Sequence, residues 1–63
     1  MFIELTSVSE NKVLINLRTV TAVTDHETYT VIHYDGDEFE AVEEQYDKVK
    51  DLIKNEVAAE RGF

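Results

Sequence analysis

Hydrophobic and polar positions alternate with a period of two over the first forty or so residues, which is the pattern of half-buried strands. Phe2 to Thr6 places Ile3 and Leu5 on one face. Ser7 to Asn11 is polar and reads as a hairpin loop. Lys12 to Leu17 sets Val13, Ile15 and Leu17 against Leu14 and Asn16. From Thr19 to Thr24 the apolar positions Val20, Ala22 and Val23 break the alternation, which predicts a bulge or a bend. Asp25-His26-Glu27 is a second loop, and Thr28 to Tyr34 alternates Tyr29, Val31 and His33 against Thr30, Ile32 and Tyr34. Asp35-Gly36 then predicts a tight turn with positive φ, leading into a fifth strand over Glu38 to Val42.

Beyond residue 43 the period changes to that of a helix. Val42, Tyr46, Val49, Ile53 and Val57 form one stripe, with Leu52 at its edge. The first turn is acidic, and Glu44 precedes Lys48 by four residues, both favourable arrangements. Gln45 stands where Ser or Asp would cap better, so the start is bounded only within Glu43 to Asp47. The helix is expected over about 44–58, with a frayed tail at 60–63. These elements predict a single α+β domain over residues 1–63. A curved antiparallel sheet of four or five strands, arranged as a meander, is followed by one amphipathic helix packed on it. The helix stripe, with Val42, is expected to cover Ile3, Leu5, Val13, Ile15 and either Val31 or Ile32.

Composition adds constraints. A 63-residue chain has a marginal core, and small folds usually compensate with disulfides, a metal or self-association. There is no cysteine, which excludes disulfides and thiolate zinc sites and leaves a homo-oligomer as the expected route. Proline is absent too, so no strand edge is guarded by one. The start, Met1-Phe2-Ile3-Glu4-Leu5, has no basic stretch of a secretory signal. The apolar run Val13-Leu14-Ile15 is far too short for a bilayer. A cytoplasmic location is expected.

No catalytic constellation is visible. Ser7 and Ser9 lack the flanking glycines of a nucleophile elbow, and Gly36 and Gly62 cannot build a phosphate-cradling loop. No enzyme activity, cofactor or metal is expected. His26, between Asp25 and Glu27, is the one trio that could hold a divalent ion, and it reads as a solvated loop histidine. His33 reads as a packed strand histidine. Asp35-Gly36-Asp37-Glu38 has the acidity of a calcium loop, but its glycine comes second instead of sixth, so it is a turn.

Charge is the feature that points outward. The formal net charge is −8, a field that repels nucleic acid and anionic membrane and favours a protein partner with a basic surface. The plainer role of such charge is solubility. From Thr19 through Asp47 there are nine acids and no Lys or Arg. Seven of them, Asp35, Asp37, Glu38, Glu40, Glu43, Glu44 and Asp47, form the candidate partner-binding patch. They are expected at one end of the molecule if the fifth strand runs directly into the helix.

Two resemblances follow from particular segments. Ile3-Glu4-Leu5-Thr6, Val13-Leu14-Ile15-Asn16, Val31-Ile32 before a glycine turn, and Val42-Glu43-Glu44 leading into Tyr46-Asp47-Lys48-Val49 together resemble small FlbD-type (swarming motility) bacterial proteins. That likeness covers Phe2 to Ile53 in strand order and terminal helix, and it implies a small self-associating interaction module. Val23, Tyr29-Thr30-Val31-Ile32-His33, Asp35-Gly36 and Leu52-Ile53 are similar to the core of LytTR-type domains. That family contacts DNA through basic and polar loop residues, which the interval Thr19 to Asp47 lacks. A similar frame with reversed charge implies the alternative function, a phage-type acidic inhibitor that mimics nucleic acid.

Overall fold

The computed structural model describes residues 1–61 and is an α+β fold of five strands and one helix. The strands are β1 (Phe2–Thr6), β2 (Lys12–Asn16), β3 (Val20–Asp25), β4 (Thr30–Tyr34) and β5 (Glu38–Val42). They precede α1 (Tyr46–Arg61), whose first residue falls inside the expected interval. The helix continues through Glu60 and Arg61, where fraying is expected, because Ala58 and Ala59 are strong helix formers and no breaker precedes Gly62 in the sequence. The Met1 ammonium also lies 4.0 Å from the Glu60 carboxylate. The rest of the expected tail, Gly62 and Phe63, lies outside the described residues.

The strands form two antiparallel sheets instead of one meander: a β1–β2 hairpin and a three-stranded β3–β4–β5 sheet. The break falls between β2 and β3 and has a local cause. The Asn16 side chain accepts the Arg18 N–H at 3.0 Å, and the Thr19 hydroxyl donates to the Asn16 carbonyl at 2.9 Å. These bonds wind Leu17–Thr19 into a 3-10 turn that carries the chain away from the hairpin. β3 then shows the expected irregularity, a register shift between Val20 and Ala22.

The sheets join at another corner. The Glu43 N–H donates to the Thr6 carbonyl at 2.8 Å, and the Val8 N–H donates to the Ala41 carbonyl at 3.0 Å, setting Ser7 opposite Val42. Around the core the strands therefore run β2-β1-β5-β4-β3, and the wrap stays open between its first and last members.

Inside lie Ile3, Leu5, Ile15, Ile32, Val42 and Val49, with Val13, Leu17, Val20, Val23, Tyr34, Leu52 and Ile53 packed around them. Val49 is fully buried, as the helix stripe requires, whereas Tyr46 and Ile53 are half-buried. Val42, also fully buried, ends β5 and is not part of the helix, although the stripe includes it. Ile32 is the β4 residue in this cluster. Val31 is buried too, on the opposite face, beside its cross-strand partners Thr24 and Ala41.

Candidate partner-binding surface

The register of β4 against β5 decides where the acids point. Tyr34 faces Glu38, Ile32 faces Glu40, and Thr30 faces Val42. Because Ile32 and Val42 belong to the core, Glu40 shares the inner face with them and is half-buried. Phe39 and Ala41 take the outer face, opposite His33 and Val31.

The seven acids do not form one patch. Asp35, Asp37 and Glu38 are exposed around the turn, where Asp35 has φ 46° and Gly36 φ 75°, as expected of Asp-Gly. Three residues, not two, separate the paired Tyr34 and Glu38. Glu43 and Asp47 are exposed at the far end of β5. The strand lies between them, and five residues at a rise of about 3.4 Å put Glu38 roughly 17 Å from Glu43. The expectation of a single acidic end is corrected to two clusters, with half-buried Glu40 between them.

Glu44 leaves the surface set altogether. Its carboxylate accepts the Thr6 backbone N–H through both oxygens, at 2.9 and 3.0 Å. Its carbonyl accepts the hydroxyl of fully buried Thr30 at 2.7 Å. Glu44 therefore closes the corner where β1, β4 and the start of α1 meet. No local motif announces this, since Thr6 and Glu44 lie 38 residues apart in the chain.

Among the described residues the ion pairs are Glu4–Lys12 at 3.5 Å and the Met1 ammonium with Glu60. None of the seven acids is neutralised in this way. Lys50 is turned toward the Tyr46 ring, with its Nζ 5.9 Å from the centroid.

On the outer face the two histidines converge on one hydroxyl. Thr24 Oγ1 lies 3.0 Å from His26 Nε2 and 3.2 Å from His33 Nε2. The His26 ring stacks on Tyr29 at 5.0 Å between centroids, and His33 lies 6.4 Å from Phe39. His26 is exposed and His33 half-buried. Among the described residues no three His, Asp or Glu side chains gather as a metal-ligand set.

One cleft opens where the strand wrap fails to close. It measures about 410 Å³ and is lined by residues 13–16 of β2, Thr19, Tyr34 and Glu40. Sequence reasoning placed Glu40 among surface acids; its position between an apolar strand edge and a tyrosine comes from the wrap of the sheets. No described helix is long and apolar enough to cross a membrane. Comparison of the chain with family models, curated proteins and solved structures finds no match.

Proposed function

We propose that this chain is a small acidic, non-enzymatic interaction module of the cytoplasm that self-associates and binds a protein partner through a basic surface. The observation that carries this reading is the absence of ion pairs on all seven acids among the described residues. Within each of the two clusters, exposed acids without counter-charges repel one another, and a cationic partner relieves that repulsion. Five of them, Asp35, Asp37, Glu38, Glu43 and Asp47, are exposed and reach either end of β5, so a complementary surface would be an extended basic strip. Exposed Phe2 and Phe39 and the open edge of β3 support self-association.

The second reading is a phage-type inhibitor that mimics nucleic acid. It is favoured by the nine acids without Lys or Arg between Thr19 and Asp47. One experiment tests both. The immobilised chain is exposed to bacterial lysate, and retained proteins are released by rising salt, over the range where the screening length falls from about 10 Å to about 3 Å. Release within that range is the expected result, and a partner still held at about 1 M salt overturns the electrostatic reading. Competition by duplex DNA for the same partner selects the mimic.

A further inference from the structure

The backbone of β2 has one committed edge and one open edge. Ser7 N–H donates to the Asn11 carbonyl and Leu17 N–H to the Met1 carbonyl, both across the β1–β2 ladder. Those two bonds fix the parity: in this hairpin the odd-numbered residues pair across the strands. By the alternation of an antiparallel ladder, the N–H and C=O of Leu14 therefore point away from β1. The same parity is seen on β1, where Thr6 turns its N–H and C=O outward to Glu44 and Glu43. Among the described residues no strand pairs with the open edge of β2.

That edge forms one wall of the 410 Å³ cleft, and Glu40 and Tyr34 stand in the same cleft. The volume lies within the range of about 300–1,000 Å³ usual for ligand sites. Its chemistry is uneven: Val13, Leu14 and Ile15 supply apolar surface, and Glu40 supplies one carboxylate without an ion-pair partner among the described residues. A half-buried carboxylate beside apolar walls suits a weakly hydrated cation better than a strongly hydrated one.

Resting on the reading of a basic protein partner, we infer that the cleft takes an extended arginine-bearing segment of that partner. The segment adds beside β2 through the free N–H and C=O of Leu14, and its arginine side chain reaches Glu40. Strand addition gives the backbone contacts, and the pocket gives the side-chain selection. Arginine suits the site better than lysine. Its planar guanidinium meets a carboxylate with two parallel N–H bonds, stacks on a tyrosine ring and sheds water more readily. The negative field of the two acid clusters on either side draws the segment in.

The test uses the full chain, labelled with ¹⁵N, titrated with the capped pentapeptide Ser-Val-Arg-Val-Ser and with its lysine and citrulline analogues. Saturable amide shifts centred on residues 13–16, Tyr34 and Glu40 are expected. Citrulline, which keeps the shape and loses the charge, should bind about tenfold more weakly, the loss expected for one charge-assisted contact. Glu40→Gln should weaken the arginine peptide by a similar factor and leave the citrulline peptide unchanged. N-methylation of the peptide nitrogen that faces Leu14 should abolish the shifts along β2.

Equal affinity for the arginine and citrulline peptides in the unaltered chain overturns the inference without recourse to any variant. Shifts confined to Asp35, Asp37, Glu38, Glu43 and Asp47 also overturn it, while leaving the acidic interaction module standing. Shifts at residues 13–16 that appear on concentrating the chain alone assign the edge to a second copy, and the inference then fails.

Discussion

Glu44 holds Thr6 across 38 residues of chain: both carboxylate oxygens accept one backbone N–H, at 2.9 and 3.0 Å. The contact fastens the hairpin to the start of the helix and sits beside the short β1–β5 join. An acid that looks like one more surface charge is thus a structural member of the fold.

Glu44→Ala should destabilise the chain by about 1.5–3 kcal/mol, the usual worth of a hydrogen bond to a charged group. Glu43→Gln, one residue away and exposed, should change stability by less than about 0.5 kcal/mol. Urea unfolding of the two variants checks the contrast. Equal effects would show that the Glu44–Thr6 bond contributes nothing special.

Relief of repulsion predicts a different sign for the exposed acids. The triple variant Asp37→Asn, Glu38→Gln, Glu43→Gln should melt at a higher temperature than the parent in low salt. Salt should narrow the difference by screening the charges. Adding Glu44→Gln to the triple variant should reverse part of the gain. A quadruple variant more stable than the triple one would contradict the assignment of Glu44.

Burial orders the core substitutions. Leu5→Ala and Ile32→Ala, both at 1% exposure, should each cost about 2–5 kcal/mol. Leu52 and Ile53 are half-buried on the same side of the helix. Replacing either with Ala should cost less, about half of the 1.5–3 kcal/mol that full burial of such a side chain is worth. Denaturant midpoints with unchanged slopes would support this order, and Ile53→Ala costing more than Leu5→Ala would invert it.

Self-association is expected through the outer edge of β3. Val20, Thr21, Ala22, Val23 and Thr24 carry no charge, so only the irregularity between Val20 and Ala22 and the terminal Asp25 oppose a second copy there. Sedimentation at micromolar concentration should show a dimer or larger species, and Ala22→Lys should shift it toward 7.3 kDa. A 7.3 kDa monomer at every concentration removes the idea.

The strands, the Asp35-Gly36 turn and the helix start were legible in the sequence because each depends on neighbours a few residues apart. Side-chain alternation, a left-handed glycine turn and a 3.6-residue stripe are local properties. Alternation leaves two faces equivalent, however, and only packing chose between them. Ile32 faces the core and Val31 the other side, yet both are buried. The charge run was equally legible as composition but not as geometry. The capped turn at Asn16 splits the meander, and the β1–β5 join curls the pieces into an open wrap. That wrap parts the acids along β5, turns Glu44 inward and sets Glu40 in a cleft. These outcomes rest on contacts between residues distant in the chain, which only the closed tertiary arrangement brings within hydrogen-bonding reach.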